Sequence, residues 1–255
     1  MQIVRVALID KNKKTKGCER TPIEFLKSLK CIKSNENHDI LEFDKLILEE
    51  IHVDSKNFEE AQWLIFENSK EIFEKNQKAF FIGGDYSITY PILKAFQKIE
   101  EDPFVIIFDA HLDHGDYLKK LIEENIYSKN IVLVSSRNIN KEEKELIKKN
   151  KIFSIKMNFI MEDLEGVCDS IMESAKNYSG FFINLDIDCL DPAFAPATEF
   201  PEPGGLTSAQ LIYLLKRISL LKNFRGAELI NINQNLDTNK LTTKLGAKLI
   251  AEMIF

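Results

Sequence analysis

Hydrophobic positions along the chain gather into short continuous runs separated by stretches with helical spacing. The runs are IVRVALI (3–9), DILEF (39–43), AFFIG (79–83), FVIIFD (104–109), IVLVS (131–135), IFSI (152–155), FFINLDID (181–188) and GAELINI (226–232). Most are apolar throughout and β-branched, as strands buried on both faces of a parallel sheet must be. Between them FEEAQWLIFENSKEIFEK (58–75), PILKAFQKIEE (91–101), EEKELIKK (142–149), LEGVCDSIMESAK (164–176) and SAQLIYLLKRISLL (208–221) repeat apolar residues at helical intervals. Strand alternating with helix predicts right-handed βαβ units in one open sheet covered on both sides. Eight candidate strands use the whole length, and no repeat, low-complexity tract or Pro/Ser-rich linker interrupts them. A single α/β domain over 1–255 is expected.

In sheets of this kind ligands bind beyond the carboxyl ends of the strands. Three ends are unusual. AFFIG runs into Gly84, Asp85 and Tyr86, where paired glycines allow close backbone approach and Asp85 is expected to brace the turn. FVIIF runs into Asp109, His111 and Asp113, spaced i, i+2 and i+4, which an extended backbone would place on one side. FFINL runs into Asp186 and Asp188, also i, i+2. A lone aspartate at a strand end is ordinarily a helix cap. Four aspartates and a histidine at the ends of two buried strands are hard to reconcile with capping, because unpaired buried carboxylates are costly. The set predicts a divalent cation. Carboxylates with one imidazole and no thiolate suit Mn²⁺, with Zn²⁺, Fe²⁺ or Co²⁺ as alternatives.

Composition narrows the partners. Of 255 residues, 44% are hydrophobic, enough for a sizeable core, and the formal charge of −6 argues against nonspecific nucleic-acid binding. The lysine runs KNKKTK (11–16) and KKNK (148–151) are short and read as solvated surface. Cys18, Cys31, Cys168 and Cys189 show neither a C-x-x-C pair nor ligand spacing, which suggests free thiols in a reducing compartment. The N-terminus reads as a first strand, not an export signal, and no segment is apolar for the ~20 residues that span a bilayer. A cytoplasmic protein without membrane partners is expected.

Three stretches resemble the ureohydrolase superfamily of arginase, agmatinase and formiminoglutamase: GGDYS (83–87), DAHLD (109–113) and DIDCLDPAFAPATEFPEPGGLT (186–207). Their order and spacing match along nearly the whole chain, and KGCERTPIEFLKSL (16–29) is similar to the family's N-terminal Gly-x-Glu-x-x-Pro segment. The resemblance implies a three-layer αβα fold with a mostly parallel eight-stranded sheet, and a trimeric or hexameric homo-oligomer. It also implies a binuclear manganese site that hydrolyses a C–N bond of a linear guanidine or amidine with metal-activated hydroxide. The DPAFAP segment (191–196) fits agmatine-like substrates best. By resemblance Asp109 and Asp186 bridge two metals, and His111 and Asp188 complete one of them. Asp113 binds the other and hydrogen-bonds the hydroxide, and His114 corresponds to a proton-shuttling histidine.

The sequence departs from that pattern around one metal and the pocket. Tyr86 stands where the family places a ligand histidine, Asn231 where it places a substrate-gripping glutamate, and Glu199-Phe200 where a Gly-Thr pair is typical. Thr198, Glu199 and Asn231 are the candidate substrate contacts. Glu199 either supplies the missing negative charge or is a surface side chain. The four aspartates carry about −4, which two dications would balance, and a neutral histidine ligand does not change that count. With Tyr86 a poor ligand, one tight and one weakened or empty site are expected. Three readings stay open: an active amidine or guanidine hydrolase, a non-catalytic binding or subunit-interaction protein, and a mononuclear hydrolase. The last rests on the structurally related deacetylases, which hold one zinc by an Asp, a His and an Asp.

Overall fold

Seven of the eight apolar runs form strands, and all but the IFSI strand at the sheet edge are largely buried on both faces. In a computed structural model describing residues 1–10, 14–75, 78–112, 117–124 and 130–254, the strands are β1 (Gln2–Val6), β2 (Ile47–Ile51), β3 (Ala79–Gly83), β4 (Pro103–Phe108), β5 (Ile131–Val134), β6 (Phe153–Ile155), β7 (Gly180–Asp186) and β8 (Phe224–Ile230). They form one eight-stranded sheet in the order β2-β1-β3-β8-β7-β4-β5-β6, with every pair parallel.

The DILEF expectation is corrected. Residues 39–43 contribute one isolated bridge, Ser34 to Ile40, and lead into a 3₁₀ turn at Phe43–Lys45. The strand is the next segment, ILEEI, which pairs only with β1 at the sheet edge. An edge strand is covered on fewer sides, so it does not require a continuous apolar run, and Ile47 and Leu48 remain exposed.

Helices cover both faces of the sheet. On one face α1 (Thr21–Leu29), α6 (Met157–Glu162), α7 (Leu164–Ala175), α8 (Ser208–Ile218) and α9 (Leu241–Ile254) pack Phe25, Ile160, Ile171, Leu214 and Ile250 against Phe80, Ile106, Ile183 and Leu229. On the other, α2 (Phe58–Glu74), α3 (Thr89–Ile99), α4 (Tyr117–Glu123) and α5 (Lys141–Asn150) cover Phe81, Val105 and Phe182. The expected αβα sandwich is therefore present. Phe73, Phe81, Phe96 and Phe182 pack tilted or edge-on at centroid distances of 5.2–6.1 Å in the second layer. No helix among the described residues is long and apolar enough to cross a membrane.

The topology decides where chemistry can gather. The chain builds one half of the sheet, crosses to the other, and returns to insert β7 and β8 between β3 and β4. The four central neighbours are therefore β3, β8, β7 and β4. Their carboxyl ends bring Tyr86, Asn231, Asp186–Asp188 and Asp109–His111 to one place.

Candidate metal centre

Each acidic stretch turns sharply instead of continuing extended. The Asp109 carboxylate accepts the backbone N–H of His111 at 2.8 Å, and that of Asp186 accepts the N–H of Asp188 at 3.1 Å. Aspartate readily closes such two-residue turns. The expected one-sided arrangement thus comes from two side-chain-closed turns, and they face each other. Asp188 joins them: its Oδ1 accepts the N–H of Ala110 at 3.0 Å and its Oδ2 lies 2.9 Å from His111 Nδ1. Ligand atoms of Asp109, His111 and Asp188 all lie within 4.8 Å of one another, and all three residues are buried.

Burial, then the charges of Asp188 and Asp186, pushes the Asp109 carboxyl well above the usual carboxylate range. Asp186 is raised in the same direction, by burial first and then by Asp188. Buried carboxyls raised by a neighbouring carboxylate favour a positive charge beside them. Asp113 and His114 lie outside the described residues.

The surroundings hold His111 and the β7 turn in place. His111 Nε2 lies 3.7 Å from Glu202 Oε2, which also accepts from Asn138 Nδ2 at 2.8 Å. Phe200 packs edge-on to the imidazole at 6.3 Å. Arg137, just past β5, donates to the backbone oxygens of Ser135, Asp188, Cys189, Leu190, Glu202 and Pro203. Its guanidinium is spent on carbonyls, locking the β7 turn to the 202–203 segment. Gly205 is required there, since an added Cβ would come within 2.6 Å of Arg137 Nη2 and of the Asp191 nitrogen. Asp191 ties the same segment together, accepting from Ala193 and Gly204.

The β3 turn differs from the family pattern. Asp85 is fully buried and accepts from the backbone of Asp10 and Ser87 and from the Thr15 hydroxyl, so it braces the turn as expected. The glycines approach protein: a Cβ on Gly84 would lie 1.9 Å from the Leu8 oxygen. Tyr86 is buried in the apolar cluster with Leu8, Ile88 and Ile92. Its phenol is raised by burial and by Asp85, Asp10 and Asp186, and so stays protonated. Asn231, immediately after β8, turns its amide onto Asp186, with Nδ2 donating to Oδ2. Thr198 is buried and Glu199 is half-buried, its Oε2 accepting from Asn233 Nδ2 at 3.2 Å. Cys18 lies close enough to Glu199 and Asp186 to feel their charges, although burial is the first cause that raises its thiol.

Comparison with known proteins fits this arrangement. The sequence profile of the Arginase family matches residues 1–255. The chain belongs to the arginase family. Among characterised relatives it is 30% identical over 207 residues to the agmatinase of Bacillus subtilis (strain 168), covering 75% of this chain and 68% of that protein. It is 29% identical over 204 residues to the mitochondrial arginase 1 of Arabidopsis thaliana, covering 74% of this chain and 58% of that one. The matched region spans little more than half of such plant arginases. The fold superposes on the proclavaminate amidino hydrolase of Streptomyces clavuligerus with a TM-score of 0.88 at 22% identity, covering 99% and 90% of the two chains. The formimidoylglutamase of Bacillus subtilis gives 0.87 at 22%, with 99% and 85% covered.

Family members generally hold a binuclear manganese site. The Asp109, His111 and Asp188 cluster fits one such cation, having buried, converging carboxylate and imidazole donors. The second position does not fit equally well, because Tyr86 offers a neutral phenol and Asp186 is engaged by Asn231.

The sequence reading overlooked Arg137, Glu202 and Asn138, whose roles arise from tertiary contact. It also passed over Asn184 and Glu228, although both interrupt strongly apolar strands. They are cross-strand partners one pleat below Asp186, with Asn184 Nδ2 donating to Glu228 Oε1 at 2.6 Å.

Proposed function

We propose that this arginase-family chain is a metal-dependent hydrolase that cleaves a C–N bond of a linear guanidine or amidine, with one tightly held divalent cation. The observation that carries the reading is the convergence of Asp109, His111 and Asp188 within 4.8 Å in a buried position. Mn²⁺ suits the donor set, and Zn²⁺, Fe²⁺ or Co²⁺ would also accept it.

A cation there supplies the acidity that makes water a nucleophile near neutral pH. The chain's own groups do the rest. Asp109 and Asp188 provide the negative charge, and the turns they close fix the donor directions. Glu202, 3.7 Å from His111 Nε2, would draw the ring proton to that nitrogen once a cation replaced the 2.9 Å contact between Nδ1 and Asp188. Asn231 keeps Oδ1 as a buried acceptor without a hydrogen-bond partner among the described residues, suited to a substrate N–H. Glu199 and Thr198 complete the proposed substrate wall. Asp113 and His114 retain their proposed roles in positioning water and carrying a proton, on resemblance. A homo-oligomer and a cytoplasmic location belong to the same reading; the four free cysteines accord with the latter.

The test is release of urea, ammonia or formamide from a panel of amidines and guanidines by protein loaded with Mn²⁺, Zn²⁺ or Co²⁺. Turnover lost in Asp188→Asn supports the reading. No turnover with any metal favours a non-catalytic binding or subunit-interaction protein, the reading that the Asn231 and Tyr86 replacements support.

A further inference from the structure

We infer that the Asn231 amide takes the place of a second cation at Asp186, so that the centre is built for a single metal ion. This rests on the metal reading above and goes further by naming what occupies the second position. Asp186 has both carboxylate oxygens engaged by protein donors. Oδ1 accepts the Asp188 N–H, closing the β7 turn, and Oδ2 accepts Asn231 Nδ2–H. A second cation at Oδ2 would have to displace that amide donor. Among the described residues, Asp186 does not belong to the group whose ligand atoms converge within 4.8 Å, namely Asp109, His111 and Asp188.

The amide is also aimed. Asn231 holds φ at 65°, a left-handed conformation that asparagine tolerates better than most residues. Its backbone N–H donates to the Gly84 oxygen at 3.0 Å, anchoring the residue between the β3 turn and β7. A glutamate at this position would set a third charge against Asp186, whereas the asparagine presents a donor. Tyr86 completes the exclusion from the other side: it packs in an apolar cluster and brings no ready ligand atom to the same space.

Among the described residues, two replacements therefore close the second position independently, which makes the consequence specific. Restoring the histidine alone leaves Asp186 capped by Asn231, while removing the asparagine alone leaves a phenol where a ligand is needed. The experiment measures retained manganese by elemental analysis after exhaustive dialysis, with the electron paramagnetic resonance spectrum of each form. Wild type, Tyr86→His, Asn231→Gly and the double variant are compared. Glycine is used at 231 because it accepts the left-handed backbone without strain. The expected result is one equivalent with an isolated Mn²⁺ spectrum for wild type and both single variants, and two equivalents with a spin-coupled pair for the double variant. Two equivalents in wild type, or in Tyr86→His alone, overturn the inference while leaving a metal centre in place. A double variant that stays at one equivalent also overturns it. Wild type that retains none removes the metal reading itself.

Discussion

Glu228 offers a test of the site's foundation that does not depend on bound metal. It is fully buried on β8, where Asn184 Nδ2 donates to its Oε1 at 2.6 Å and Oε2 has no hydrogen-bond partner among the described residues. Burial pushes its carboxyl from 4.5 to about 7, with Asn184 and the neighbouring Thr89 opposing part of the rise. The folded state therefore holds this proton to higher pH than the unfolded state does. Stability from the group is fully present below pH 4.5 and is lost as pH rises through about 7. A rise of about 2.5 pK units at ~1.4 kcal/mol each amounts to roughly 3 kcal/mol. Glu228→Gln keeps a neutral group of the same shape and removes the titration. Unfolding free energies from urea titrations of both proteins should diverge with pH, wild type losing about 3 kcal/mol relative to the variant between about pH 4.5 and pH 8. Parallel curves across that range would refute the reasoning.

Other outcomes follow from the same contacts. Phe182→Ala removes the ring shared by Phe73, Phe81 and Phe96, and should cost about 3–5 kcal/mol in urea unfolding. Arg137→Lys should weaken metal binding by roughly 10–100-fold in calorimetric titration, because a single ammonium cannot serve the carbonyls that the guanidinium fork reaches. Glu202→Gln should weaken it by about tenfold with little change in melting temperature, since Glu202 is partly exposed and acts on the His111 tautomer.

The legible parts of the fold were those where burial on both faces forces a continuous apolar signal. AFFIG became β3 residue for residue, and FVIIFD and FFINLDID lost only their terminal residues to turns or gained a leading one. The edge strand ILEEI was hidden by its half-exposed pattern, and DILEF misled because an apolar stretch can also line a loop. Helix α9, LTTKLGAKLIAEMI, was missed because it is buried on nearly every side and carries small polar residues instead of a clean stripe. At the site, the i, i+2 spacing put Asp109 with His111 and Asp186 with Asp188 at two strand ends, whereas grouping His111 with Asp188 came from the family resemblance. What closes the turns was not legible, because Asp109 and Asp186 could equally have continued the strand. Asn231 was readable as a replacement, but its grip on Asp186 depends on β8 lying beside β7, a consequence of the late insertion of both strands. Arg137 gave no local signal at all, as its partners lie 51–66 residues away along the chain or on its own loop.

Anomalous diffraction from crystals grown with Mn²⁺ tests the central claim most directly. The account predicts one strong peak enclosed by Asp109, His111 and Asp188. No peak there, or a manganese bound elsewhere with this cluster left bare, would contradict it.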